Sequence, residues 1–325
     1  MEIAFWDAVL DRAGLVWPCR EMLPIIYHPD YQAPLRANHR FPMSKYGYLH
    51  RALTVRGLVS PGSFLSPAPA PTRVLELAHD AAYVTRVLDL ALDPAEVRRI
   101  GLPCTERVVR RSRLSAAGTQ LAAWMALERG IACNMAGGSH HAGPIAGAGF
   151  CIFNDVAVAA LGLLNQGVTP PILVIDADVH QGDGTAEIFA DDSRVFTLSI
   201  HAQHNYPARK ARSDMDVALP DGTDDKTYLD AFLVAIETAF ERAQPRLVFY
   251  NAGVDVHVQD KLGRLALSDD GIRARDALVF SYVRAHNVPV VGVIGGGYSD
   301  EPDALAARHA ILFEEAARAA ETASQ

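Results

Sequence analysis

The 325-residue chain has only four cysteines, Cys19, Cys104, Cys133 and Cys151, and no two of them form a C-x-x-C pair. That argues against a cysteine-based zinc knuckle and favours reduced thiols in a cytosolic interior. A basic excess is also missing, because 30 Lys and Arg stand against 38 Asp and Glu, a formal net charge of -8. A non-specific nucleic-acid binder would show the opposite balance. No apolar run is long enough to span a bilayer, and Met1 to Asp7 offer neither a basic n-region nor a long apolar h-region. The expectation is therefore no membrane span, no signal peptide and a cytoplasmic location. Internal repeats are absent, and the one biased tract is a proline-rich connector over 60–71. Nothing in the sequence speaks to oligomeric state.

What is present is a globular composition, 50% hydrophobic and 21% charged, with mean hydropathy +0.07. Strand and helix patterns alternate along the chain without a break in composition. Strands are expected at 24–28, 131–137, 171–178, 195–201, 246–250 and 288–294. Helices are expected at 45–53, 76–91, 94–100, 105–130, 155–166, 184–190, 226–242, 268–286 and 303–322. Residues 1–24 read as a short amphipathic helix and a connector. Such alternation predicts one α/β domain over 1–325 on a mainly parallel sheet.

The stretch 170–184 is the most informative. An apolar run, Ile172-Leu173-Val174-Ile175, ends in Asp176, Asp178, His180, Asp183 and two glycines. It reads as a buried parallel strand, and in open α/β sheets ligands bind beyond the carboxyl ends of strands. In extended backbone Asp178 and His180 point the same way. Carboxylate oxygen and imidazole nitrogen together are half of a plausible zinc site, and surplus buried acid needs a compensating charge. The plainer alternative is an Asp/Gly turn with His180 merely hydrogen-bonded.

Three other strand ends carry polar or glycine-rich stretches, at 137–143, 251–255 and 295–298. In a parallel sheet all four meet at one edge. Asp255 is then available as a third ligand, and three protein ligands with one open position is the catalytic pattern for zinc. His140 and His141, with Asp176 and Asp183 as carboxylate partners, suggest two Asp–His pairs. Tyr298, after three glycines, is a candidate oxyanion donor. Gly149, Phe150 and Tyr206 are candidate channel walls, although such aromatics are more often core.

Taken in order, these segments resemble the zinc-dependent histone deacetylase family: Gly138-Ser139-His140-His141-Ala142, 149–155, 176–184, 251–255 and 295–298. The similarity covers roughly residues 24–320. Residues 24–27, 39–47, 126–130 and 260–265 are most similar to the class IV branch, and the alanine-rich composition suggests a bacterial member. The resemblance implies the arginase/deacetylase α/β fold, a three-layer arrangement with a largely parallel sheet between helices. It implies hydrolysis of N-acyl amides on lysine side chains, with acetyl or longer fatty acyl groups removed from a protein or peptide. Asp178, His180 and Asp255 would be the zinc ligands. His140, His141, Tyr298, Asp176 and Asp183 would form the catalytic set, with Gly149, Phe150, Tyr206 and Leu262 contacting substrate. It further implies potassium at Asp176, Asp178, His180, Ser199 and Ile200, and at a second site with Phe189, Asp192, Val195 and Tyr228.

The sequence departs from the family pattern at Ser139, where many relatives have Gly, and in the loop from Tyr206 to Lys210. It departs again at Gln181, where many relatives have a second histidine and to which we assign no chemical role. Three rivals stand beside the main reading. An acetylpolyamine amidohydrolase would place an acid at the rim, where this chain has Leu262. An arginase-type binuclear site would need a second set of ligands. A non-catalytic acyl-lysine reader would show a degraded site.

Overall fold

Seven runs rich in β-branched and other apolar residues form the sheet. They are β1 (Ile25–Ile26), β2 (Ile131–Asn134), β3 (Ile172–Asp176), β4 (Val195–Ala202), β5 (Met215–Leu219), β6 (Leu247–Ala252) and β7 (Val290–Ile294). The structure, a computed structural model, describes residues 23–59, 62–168 and 171–321. The expected leader helix therefore falls almost wholly outside the described residues. Strand order is β1-β2-β7-β6-β3-β4-β5, and every pairing is parallel. All five residues of β3 and all six of β6 are buried, as expected for parallel strands covered on both faces.

The helices are α1 (Lys45–Val55), α2 (Thr72–Leu75), α3 (Ala81–Leu88), α4 (Pro94–Ile100), α5 (Glu106–Arg129), α6 (Asp155–Asn165), α7 (Asp183–Ile188), α8 (Asp225–Ala243), α9 (Asp269–Ala285) and α10 (Pro302–Glu321). One group, α5 with α6, packs together; another joins α8, α9, α10 and α1. With the sheet between helices this is the expected three-layer α/β fold. No helix among the described residues is long and apolar enough to cross a membrane.

The order of strands positions the site. The chain leaves β3 towards β4 on one side and leaves β6 towards β7 on the other, although β3 and β6 are neighbours. That reversal opens a crevice beyond their carboxyl ends, where such sheets bind ligands. Register puts Asp176 opposite both Asn251 on β6 and Ser199 on β4.

Three expectations need correction. The helix expected over 76–91 is broken, because the Asp80 side chain caps a new helix by accepting from Ala82 N and Tyr83 N. Strand β5 was not expected; it is an edge strand with exposed Asp216 and Ala218, so it lacks a long apolar run. The central strand ends at Asp176, and residues 178–180 form a bend. Asp178 and His180 therefore converge through a turn rather than through strand alternation.

His79 ties the helical region to the site loops. Its Nδ1 lies 2.9 Å from Gly143 O, and its Nε2 accepts from Asn154 N at 2.9 Å. Both ring nitrogens are satisfied only in the neutral tautomer, since a proton on Nε2 would face an N–H donor. Burial lowers its pKa to about 4, despite the bond to Gly143. The folded value lies below the unfolded one, so the stability it contributes is full above about pH 6.5 and is lost as pH falls towards 4. The linkage amounts to roughly 3 kcal/mol. Thermal unfolding from pH 7.5 to 4 should show a falling Tm in the wild type and a flatter dependence in His79→Gln. Parallel curves for the two proteins would contradict the assignment.

Candidate active site

Asp178 and His180 lie just past β3 and Asp255 just past β6, so the crevice brings them together. One ligand atom from each lies within 4.8 Å of the others, and all three residues are buried. His180 Nδ1 is 2.9 Å from Asp178 Oδ1 and 3.1 Å from Asp255 Oδ2. Burial disfavours charge on these carboxylates, yet the charge of His140 and the bond to His180 hold Asp178 well below the usual carboxylate range. Burial and the neighbouring charge of Asp178 push Asp255 up. Two dry carboxylates facing one imidazole form a donor set that calls for a cation. Oxygen and nitrogen donors in this number suit zinc with an open position.

The glycines after β7 let the backbone close over this group. Gly296 N donates to Asp178 Oδ2 at 2.6 Å, and a side chain at Gly296 would run into both carboxylates. Buried Lys45 on α1 donates to Gly295 O at 3.0 Å and fixes the same segment.

The tandem histidines sit beside the group, each on its own acid. His140 Nδ1 is 2.7 Å from Asp176 Oδ2, and His141 Nδ1 is 2.6 Å from Asp183 Oδ1. Their electrostatics differ. Burial opposes charge on His140, but Asp176 and Asp178 outweigh it and raise its pKa to about 9. Burial and the charge of His140 lower His141 to about 4, against the pull of Asp183. At neutral pH one imidazole is thus positive and the other is a free base. Tyr298 is 8% exposed, and burial with the charges of Asp255 and Asp178 keeps its phenol protonated.

Several positioning residues were not assigned from sequence. Asp155, at the start of α6, accepts from Ser139 N (2.7 Å) and Thr119 Oγ1 (2.6 Å), pinning the histidine loop. Asn251 donates to Asp176 Oδ1 at 2.8 Å. Asp260 accepts from Tyr298 N at 2.6 Å and from Leu262 N at 2.8 Å, so it holds the tyrosine and the rim together. Arg275 on α9 is fully buried and donates to Ala177 O (3.0 Å) and Gly253 O (2.6 Å), clamping the two ligand-bearing strand ends. The signal for Arg275 was an arginine inside a helical pattern, which reads as an exposed charge.

The expected substrate contacts share one cavity of about 730 Å³, with Gly149, Phe150, Tyr206 and Leu262 lining it beside His141, His180 and Tyr298. The Tyr206 ring meets His141 edge-on at 4.8 Å, and Phe150 lies 5.9 Å from Tyr298. Phe150 has φ 67, a left-handed conformation unusual for an aromatic residue and held by Phe150 N donating to Ile100 O at 2.6 Å. Of the residues expected around potassium, Ser199 and Ile200 follow each other on β4, and the Ser199 hydroxyl is 3.0 Å from His201 Nδ1. Phe189, Asp192 and Val195 lie along the turn into β4, and Tyr228 lies on α8.

Gln181 acquires a place that sequence did not give it. Its Nε2 donates to Ala211 O (3.0 Å) and Asp216 Oδ1 (2.8 Å), and its Oε1 accepts from Ala211 N (2.8 Å). It is 1% exposed and fastens the loop that carries Tyr206 to the floor of the site.

The chain is similar to known proteins over most of its length. The family profile described as "Histone deacetylase domain" matches residues 39–313. An uncharacterised protein of Picosynechococcus sp. is 46% identical over 293 residues, covering 90% of this chain and 98% of that protein. Histone deacetylase 2 of Arabidopsis thaliana is 33% identical over 286 residues, covering 84% and 74%. A crystal structure of an HDAC homolog complexed with SAHA matches with TM-score 0.76 and 25% identity, covering 91% and 84%. The HDA15 HD domain shares the fold, with TM-score 0.72 and 21% identity over 93% of each chain.

The Gln181 contacts predict that Gln181→Ala frees the 205–213 loop. Trypsin should then cut at Arg209, Lys210 or Arg212 several-fold faster than in the wild type while the core persists. Unchanged cleavage there would remove the anchoring role.

Proposed function

The chain belongs to the histone deacetylase family, and on that premise we propose that it is a zinc-dependent hydrolase that removes acyl groups from lysine side chains. The observation that carries this reading is the buried Asp178, His180 and Asp255 group lying beside two acid-backed histidines and a protonated tyrosine. Asp178, His180 and Asp255 would hold the metal. Zinc bound there supplies a Lewis acid for the amide carbonyl and lowers the pKa of a water towards about 7.

The protein's own groups do the rest. His141, neutral at pH 7, accepts a proton at Nε2 and later passes it to the leaving amine. Asp183 on its Nδ1 keeps the ring in one tautomer. His140, paired with Asp176, gives electrostatic support. The Tyr298 hydroxyl donates to the oxygen that gains negative charge. Gly149, Phe150, Tyr206 and Leu262 line the path of the lysine stem. Potassium at Asp176, Asp178, His180, Ser199 and Ile200 belongs to the same reading, supported by the pairing of Asp176 with Ser199 in the sheet. A second potassium at Phe189, Asp192, Val195 and Tyr228 rests on the resemblance alone.

The apolar Leu262 at the mouth supports an acyl-lysine stem over a polyamine, whose second ammonium would want an acid there. The completeness of the site supports catalysis over mere binding. Behind the catalytic groups lies a cavity of only about 30 Å³, lined among others by Lys45, Arg111, His140 and Phe150. That is room for little more than a water molecule, which supports acetyl ahead of long fatty acyl groups.

Three outcomes follow. Tyr298→Phe should lower kcat by roughly 10²–10³, and turnover at the wild-type rate would remove the tyrosine from the reaction. Chelation should abolish peptide deacylation and added zinc should restore it; activity indifferent to chelator would defeat the metal assignment. Across lysine peptides bearing acetyl through myristoyl groups, kcat/KM should fall with chain length. A myristoyl optimum would show that the inner cavity opens well beyond the volume seen here.

A further inference from the structure

The mouth of the site is charged in the opposite sense to the rest of the chain. The cavity of about 730 Å³ above the catalytic groups is lined by five arginines, Arg36, Arg40, Arg98, Arg99 and Arg264, and by no aspartate or glutamate. The chain as a whole has eight more acidic than basic side chains (38 against 30). Only Arg264 has a carboxylate within ion-pair distance among the described residues, Asp221 at 3.1 Å. Arg99 donates through Nε to the Gly147 carbonyl, which orients the guanidinium without cancelling its charge. Arg36, Arg40, Arg98 and Arg99 are all exposed.

A purely local explanation covers part of this. Arg98 and Arg99 sit in the last turn of α4, where the helix dipole favours cations. It does not cover Arg36 and Arg40, which stand on the loop between β1 and α1. Two separate segments thus bring unneutralised guanidinium groups to one concavity. Arginine forks bind carboxylates in bidentate fashion, and a cleft lined by one sign of charge focuses its field on what enters.

We infer that the mouth selects acyl-lysines flanked in their peptide by acidic residues and disfavours those flanked by lysine or arginine. The inference rests on the acyl-lysine reading above. A lysine stem threaded between Phe150 and Tyr206 leaves the neighbouring residues of the peptide in the arginine-lined cavity. Aspartate or glutamate there gains favourable contacts, and a basic flank meets like charge. The same field disfavours polyamines, independently of Leu262.

The test uses three acetyl-lysine peptides of one sequence, with aspartate, alanine or arginine on both flanks, and the zinc-loaded full chain. At low ionic strength kcat/KM should fall from the acidic to the neutral to the basic peptide, spanning about tenfold or more. The span should shrink as salt shortens the Debye length from about 10 Å at 0.1 M to about 3 Å at 1 M. Binding of the same labelled peptides to metal-free protein, read by fluorescence anisotropy, should keep the order. Arg40→Glu with Arg98→Glu should abolish it, because Arg36 and Arg99 then only balance the two glutamates, and Arg40→Lys with Arg98→Lys should retain it. Equal turnover of all three peptides, or a preference for the basic one, overturns this inference and leaves the hydrolase reading intact. Failure to cleave any of them, and failure to cleave the same three peptides carrying longer acyl groups, with zinc bound, overturns the hydrolase reading itself.

Discussion

The structure depends on keeping two carboxylates, Asp178 and Asp255, fully buried at adjacent strand ends. Dry carboxylates are costly unless charge and hydrogen bonds compensate them. Much of the surrounding protein does this. His180 bridges both acids, Gly296 N donates to Asp178 and Val179 N donates to Asp255. Arg275 holds the two backbone segments from beneath, and Lys45 and Asp260 hold the glycine turn and Tyr298 from the sides. The reversal of chain direction between β3 and β6 makes the place where these groups can meet.

The same constraint separates the two histidines. They are neighbours in sequence and each has a carboxylate on Nδ1, yet His140 also feels Asp178 while His141 feels the positive charge of His140. The first is held towards its charged form and the second towards its neutral form. The fold thus makes two roles from one residue type through position alone. Above this acidic floor the mouth turns basic, so the field at the entrance is opposite in sign to the field at the floor.

Much of this was legible in the sequence because it is written in short segments at strand ends. The apolar run before Asp176, the tandem histidines between glycines, and Asp255 directly after β6 each carry their own signal. What stayed hidden depends on pairings across the sheet. Arg275 lies 98 residues from the carbonyl of Ala177 it holds. Gln181 carries no signal of its own, because its place depends on the 205–213 loop folding onto it. Strand β5 escaped because an edge strand with a half-polar pattern lacks the apolar run that marks the others. The extended-backbone argument put Asp178 and His180 side by side through the wrong geometry, since a bend and not a strand brings them together. The arginine-lined mouth was hidden too, because its charges come from segments about sixty residues apart.

The central claim is that one divalent ion sits among Asp178, His180 and Asp255 and that this ion is the one used for hydrolysis. Metal content per chain, measured by mass spectrometry on purified wild-type protein and on Asp178→Asn, tests it most directly. The account predicts one zinc per chain in the wild type and loss of that zinc in the variant. Two ions per chain, as in a binuclear arginase-type site, or full zinc retention after the substitution, would contradict it.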